Sequence, residues 1–478
     1  MHSSFRFFLI LIFSASFFVP GFSQDDHYWA QQYGAVSTLM GGAVVGGVRD
    51  NSAIFYNPGA LSFIKFPNLS VDANVYKIDK IFIRDGAGTG INLNSMQFCI
   101  YPQIVSGLIR FKNWTRFKLG YAVLTRNYAS ILMNSRYLNT SYSPTGDTLL
   151  NSTVGSFDYT NVMNEQWFGA GAGYQLNDHL GIGVSLFVNY RTQTYELYSL
   201  QRQLAREEQN YGFYTSNIDE SIKYKYFGIL AKIGIDYEVN RWKFGLAITT
   251  PSIHVYGKGD VNREISAYQG SQSASDTAAG FIMYDYKFGT RAAYHLPFSV
   301  SAGVDWQGKT TRVSMSCEYF SSIAGYFLLK PESNPFIYPP GIKDTAIIRE
   351  FAATFLQVKN SSKPVFNIGV GLEQNLFKNL LFLFGANTDF SSFKEMDEGD
   401  FLMHGGGSWD LYHLSTGLSY RTLKEMITLG FSYTFSPERN VEPYTNITVQ
   451  NIPENAKAFA QSFGLVLGFT YFISKLGN

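Results

Sequence analysis

The chain has 478 residues and a formal net charge of +1, with 38 Lys and Arg against 37 Asp and Glu, so its charge points to no nucleic-acid partner. Charged residues make up only 16% and aromatic residues 17%, including 32 Tyr and 41 Phe beside 44 Gly, where soluble domains carry about 25% charge. Beyond the N-terminal leader no apolar run reaches the roughly 20 residues of a spanning helix, so the composition is that of a membrane β-barrel, whose lipid-facing signal is spread over alternate positions.

Residues 1–23 place Arg6 before the apolar run FFLILIFSASFFVP and the short stretch Gly21-Phe22-Ser23. That is the layout of a secretory signal peptide cut after Ser23, which puts a mature chain starting at Gln24 outside the cytoplasm. Residues 24–66 then show no alternation. They read as short helical pieces broken at Gly41-Gly42 and Gly46-Gly47, with Ser52 placed to cap a turn leading into Phe55. Asn57-Pro58-Gly59 is a turn signature, in which Pro fixes φ and Gly is free to take a positive φ. This stretch is too short to fold alone. It is expected to plug the lumen of a barrel formed by 67–478, with Arg49 and Asp50 as candidate plug–wall contacts.

From residue 67 onward the hydrophobic period is two. In Ile427–Ser436, Ile427, Leu429, Phe431, Tyr433 and Phe435 alternate with Thr, Gly and Ser; Tyr412–Tyr420 and Phe463–Tyr471 repeat the pattern. Strands are expected near 67–84, 91–110, 116–133, 156–175, 179–200, 221–238, 242–258, 277–307, 311–325, 348–374, 379–391, 408–420, 426–437 and 460–473, with Pro297 interrupting the eighth. Short turns near 112–113, 177–178, 240–241, 308–309, 378–379 and 422–424 alternate with long polar connections near 85–90, 134–155, 201–220, 259–276, 326–347, 392–407 and 438–459. Short turns face the periplasm and long loops the exterior, so the alternation gives about fourteen antiparallel strands with both termini on the periplasmic side.

One face of these strands carries Asp72, Lys118, Arg126, Arg191, Lys232, Asp236, Lys243, Asp305, Arg312, Glu318, Glu373 and Asp389, while the other is uncharged. A Lys or Arg facing lipid at the midplane costs about 2–4 kcal/mol, which is the segregation a barrel requires. Arg126 and Arg191, in the outer half of the lumen, are candidates to bind a ligand carboxylate; pairing with Asp or Glu across the lumen is the competing reading. Cys99 and Cys317 read as apolar filler rather than a disulfide.

Catalytic chemistry is not legible. His404-Gly405-Gly406-Gly407 lacks the Gly-x-Ser-x-Gly elbow of a hydrolase, and Gly169, Gly171 and Gly173 alternate on a strand with no following helix to cradle a phosphate. No catalytic residue, metal set or cofactor is expected.

The stretch Met40-Gly41-Gly42-Ala43 followed by Asp50-Asn51-Ser52-Ala53-Ile54-Phe55-Tyr56-Asn57-Pro58-Gly59-Ala60-Leu61 resembles the plug signature of the FadL family of outer-membrane transporters for long-chain fatty acids and other hydrophobic compounds. GAGYQLNDHLGIGVSL (171–186), ITTPSIHVYGKG (248–259) and YHLPFSVSAGVDW (294–306) are similar to its barrel phrases. Gly59 stands where the family usually has Ala. The resemblance implies a fourteen-stranded all-β barrel with an N-terminal, partly helical plug in the bacterial outer membrane, in contact with outer-membrane lipids and lipopolysaccharide. It implies passive uptake of a hydrophobic small molecule by a monomer, with gating at Gly41, Gly42, Asn57, Pro58 and Gly59. It also implies lateral release at a kink in the third strand, which here contains Gly120 and Asn127. The alternative it leaves open is a scaffold or shuttle that binds components of a secretion system.

Overall fold

The computed structural model describes residues 26–111, 113–142, 149–207, 210–271, 279–339, 346–394, 409–448 and 455–473; the leader expected at 1–23 and the run 404–407 lie outside them. The chain enters through two short helices, α1 (Ala35–Leu39) and α2 (Ala53–Tyr56), and a 3-10 turn at Pro58–Phe63. Strands follow as β1 (Asn68–Arg84), β2 (Leu93–Arg110), β3 (Phe117–Tyr142), β4 (Leu149–Gln175), β5 (Leu180–Glu207), β6 (Asn210–Val239), β7 (Trp242–Thr249), β8 (Ile253–Ser271), β9 (Ala279–Arg291) and β10 (Ser299–Gln307). After them come β11 (Thr311–Phe320), β12 (Ile323–Leu329), β13 (Phe336–Tyr338), α3 (Ala346–Thr354), β14 (Val358–Ser362), β15 (Val365–Phe377), β16 (Leu380–Asp389), β17 (Leu411–Arg421), β18 (Glu425–Phe435), β19 (Arg439–Val441) and β20 (Ala456–Phe472).

All but β12 and β14 belong to one antiparallel sheet, which closes where β1 pairs with β20, from Asn68–Phe472 to Arg84–Lys457. Around Pro251 and Pro297 the crossings β7–β8 and β9–β10 are each broken in two, as expected where a residue cannot donate to the ladder. With β13 and β19 as three-residue additions, the described residues make the closed fourteen-stranded barrel that the turn alternation implies. Outward positions are apolar over a belt: Tyr237, Ile235, Ile233 and Ile229 on β6, and Ile427, Leu429, Phe431 and Tyr433 on β18, are all exposed. About ten strand residues suffice to cross a bilayer.

Two kinds of expectation are corrected. Much of the polar sequence at 134–155, 201–220 and 259–276 is strand, because β3 to β6 and β8 run on past the apolar belt, paired as far as Tyr142–Leu149 and Glu207–Asn210. Beyond the belt both faces of a strand meet water or the mouth of the lumen, so polarity ceases to mark a loop. The strand expected at 348–374 is a helix, a turn and two strands. Ile348, Phe351 and Phe355 recur at helical spacing, all three are buried, and only β15 joins the wall.

The core lies inside the barrel. Tyr33, Leu39, Met40, Ile54 and Leu61, from 26–66, are fully buried in one cluster with wall residues Leu108, Leu124, Trp167 and Leu383. A segment too short to bury its own apolar surface is covered by the wall instead.

Candidate functional site

The seat of the N-terminal segment is lined with glycine. Cross-strand register pairs Gly173 with Gly183, Gly183 with Gly234, Gly245 with Gly303, Gly371 with Gly385, and Gly417 with Gly430. A Cβ on Gly234 would fall 2.7 Å from Pro58 Cδ, one on Gly371 2.6 Å from Met40 O, and one on Gly430 2.6 Å from Leu39 Cδ1. Each of these glycines removes a side chain where the plug must approach the wall closely. The alternation of the strands contains this belt, but as single glycines among serines it is not recognisable until the register aligns them.

Asn57 joins three parts of the structure. It is 0% exposed; its Nδ2 donates to Val45 O at 3.1 Å and to Ile235 O of β6 at 2.9 Å, while its Oδ1 accepts from Gly59 N at 3.1 Å. Pro58 then starts the 3-10 turn. Gly59 does not use its freedom to take a positive φ; the constraint there is space, since a Cβ would meet Gly234 O at 2.8 Å and Gly181 O at 2.9 Å. Gly41 and Gly42 do take positive φ, 64° and 67°, which turns the chain out of α1. Ser52 makes no side-chain cap. Its N–H donates instead to Asp50 Oδ1 at 2.9 Å, so Asp50 organises the turn into α2 within the plug, with the charge of the wall residue Arg312 acting on it. Burial pushes the Asp50 carboxyl above its usual range.

Arg49 does reach the wall. Its guanidinium donates to Asp236 Oδ2 at 3.1 Å and Oδ1 at 2.9 Å, pairs also with Glu238, and covers the Phe63 ring at 5.2 Å. At the other end of the segment, His27 Nδ1 lies 3.5 Å from Asp389 Oδ2, and Trp29 N donates to Asp389 Oδ1 at 2.9 Å. Burial alone would lower the His27 imidazole; the adjacent Asp389 carboxylate outweighs it and holds the group above its ordinary value.

The wall is interrupted between β2 and β3. Their ladder runs only from Arg110–Lys118 to Ile104–Leu124, although β2 continues to Leu93 against β1 and β3 continues to Tyr142 against β4. Bulges cluster at the same level. Arg126 is an extra residue between Thr125–Gln166 and Asn127–Glu165, and Gln103 is extra between Ile104 and Pro102. Above the break the two strands are stitched by side chains: Thr125 Oγ1 donates to Pro102 O at 2.8 Å, Leu132 N donates to Ser95 Oγ at 3.1 Å, and the Tyr101 and Tyr128 rings stack at 5.3 Å. Outward side chains along the break stand bare. Met96, Phe98 and Ile100 are 57–65% exposed, at or above the 57% of Leu186 on fully paired wall.

Asn127 sits at this break, whereas Gly120 lies in regular ladder opposite Leu108 and Gly171. Pro102 was overlooked in the sequence, and its signal was legible: a proline inside a strand marks an edge without a partner. Arg126 binds the plug, donating to Tyr28 O at 2.6 Å and lying 5.8 Å from the Phe55 ring and 5.5 Å from that of Trp167, while Tyr33 donates its hydroxyl to Arg126 O at 3.2 Å. Arg191 is fully buried and paired, with Nη1 on Glu165 Oε2 at 2.9 Å and Nε on the Tyr224 hydroxyl at 2.8 Å. That geometry favours the charge-pairing reading for Arg191. Between plug and wall, Trp29, Gln32, Phe55, Lys232 and Glu318 line a cavity with room for little more than a water molecule.

No protein-family model and no curated protein matches the chain. Among solved structures it is similar to a Pseudomonas aeruginosa FadL homologue, at 13% identity and a TM-score of 0.53, over 95% of this chain and 99% of that one. It is also similar to the Pseudomonas putida toluene transporter TodX (13%, TM-score 0.54, 93% and 99%) and to the Ralstonia pickettii toluene transporter TbuX (12%, TM-score 0.54, 92% and 98%). At these identities what the chain shares with them is the fold, and over nearly its whole length that fold is the one these transporters adopt.

Proposed function

We propose that the chain is an outer-membrane channel for passive uptake of small hydrophobic molecules, with 1–23 removed on export, 24–66 acting as a movable plug and 67–478 forming the barrel. Its orientation has the short turns and both termini in the periplasm. The observation that carries this reading is the break between β2 and β3, with the bulged Arg126 bonded to Tyr28 and Tyr33 of the plug. A hydrophobic solute that leaves sideways enters lipid without crossing water, so a gap stitched by side chains is a route that a sealed ladder would deny. Because the plug holds the bulge from both sides, a shift of residues 28–33 loosens plug and seam together. The fold shared with a FadL homologue and two toluene transporters supports the same reading.

Deleting Arg126 tests it. The deletion removes the extra residue and lets β3 run in register against β4. Uptake of toluene and of a long-chain fatty acid by cells lacking the native gene is expected to fall to background, with the barrel still folded. Uptake equal to that of the intact chain would refute lateral release.

A further inference from the structure

Outward side chains on β6 run Tyr237, Ile235, Ile233, Ile229 and Phe227, and the next outward position is Lys225. Register places Lys225 directly beside Lys258 of β8, and Lys258 directly beside Arg291 of β9; all three are exposed. Like charges opposed across an antiparallel pair destabilise it. Among the described residues none of the three makes an ion pair, whereas the next cation along β6, Lys223, is held by Glu196 at 2.6 Å. Two residues toward the belt, Tyr190, Phe227 and Tyr256 form the neighbouring row, with the Tyr190 and Phe227 rings 4.5 Å apart. Aromatic rows mark the membrane–water boundary of a barrel. On β6 and β8 the cations therefore stand one step above the apolar belt, at the depth of lipid headgroups.

We propose that Lys225, Lys258 and Arg291 bind the phosphate of an outer-leaflet lipid whose acyl chains lie along Phe227 and Ile229. Phosphate oxygens accept charge-assisted bonds from both Lys and Arg, and the headgroup supplies the counter-charge that the row lacks. Continuity of the cations with aromatic and then aliphatic surface selects a lipid over a soluble anion. The inference rests on the orientation proposed above, with the long connections outside.

The test places the full barrel in phosphatidylcholine nanodiscs doped with lipid A, either phosphorylated or enzymatically dephosphorylated, and counts retained lipid by native mass spectrometry. Preference for the phosphorylated form is expected. The variant Lys225→Gln/Lys258→Gln/Arg291→Gln should lose roughly fivefold per cation, on the order of 100-fold for all three. Lys309→Gln/Lys378→Gln/Lys424→Gln, which removes the same charge from exposed short turns at the other end, should retain lipid normally. Equal retention of the two lipids, or unchanged retention by the first variant, overturns the proposal, as does displacement by free inorganic phosphate at matching concentration. Heat-modifiable gel mobility verifies that each variant is folded. Retention is read without any transport step, so a failed uptake assay leaves it untouched.

Discussion

Asn57→Ala isolates the attachment of the plug from the stability of the wall. The side chain makes three hydrogen bonds, to Val45 O, Ile235 O and from Gly59 N, and only the one to Ile235 reaches a strand. At a net of about 1 kcal/mol per bond the change removes about 3 kcal/mol. Each 1.4 kcal/mol is a factor of ten, so local opening of the plug should rise on the order of 100-fold. The ladder between β5 and β6 keeps its backbone bonds and should be unaffected. Hydrogen–deuterium exchange on the reconstituted barrel reads this directly: amides across 53–63 should lose about two decades of protection while those of 228–237 keep theirs. Unchanged protection at 53–63 would show that shape, not Asn57, retains the plug. Loss of protection across both regions would show that plug and wall unfold as one unit, and either result refutes the reasoning.

Gly234→Val tests the glycine belt, because a Cβ there falls 2.7 Å from Pro58 Cδ and 2.9 Å from Pro58 N; the barrel should fold with its plug displaced, read as raised ion conductance in planar bilayers. Arg49→Met strands the fully buried Asp236 and should weaken plug docking by about 3–5 kcal/mol in urea titrations of plug protection, with Arg49→Met/Asp236→Asn recovering most of it. His27, held above its ordinary value of about 6.5, contributes its ion pair with Asp389 fully below that value and loses it as pH rises through the higher value in the folded state. Exchange at residues 27–33 should therefore quicken with rising pH beyond the intrinsic base-catalysed rate. His27→Gln should remove that excess.

The closed barrel was legible in the order of the residues. Lipid outside and water or packed protein inside impose a period of two on every crossing, and the alternation of short turns with long connections counts the crossings. Residues 24–66 stood apart for the same reason, since they lack that period. The Asn57-Pro58-Gly59 turn was visible too, though its physical basis was misjudged: Gly59 is held by the nearness of Gly234 O and Gly181 O rather than by φ. Where the wall fails to close is visible only in the assembled barrel. A missing ladder is a relation between β2 and β3 that neither strand encodes alone, and Arg126 reads as one more lumenal cation until the register shows that it is the extra residue. The same holds for Lys225, Lys258 and Arg291, which lie 33 positions apart at each step in the chain and become neighbours only when strands of unequal length are laid in register.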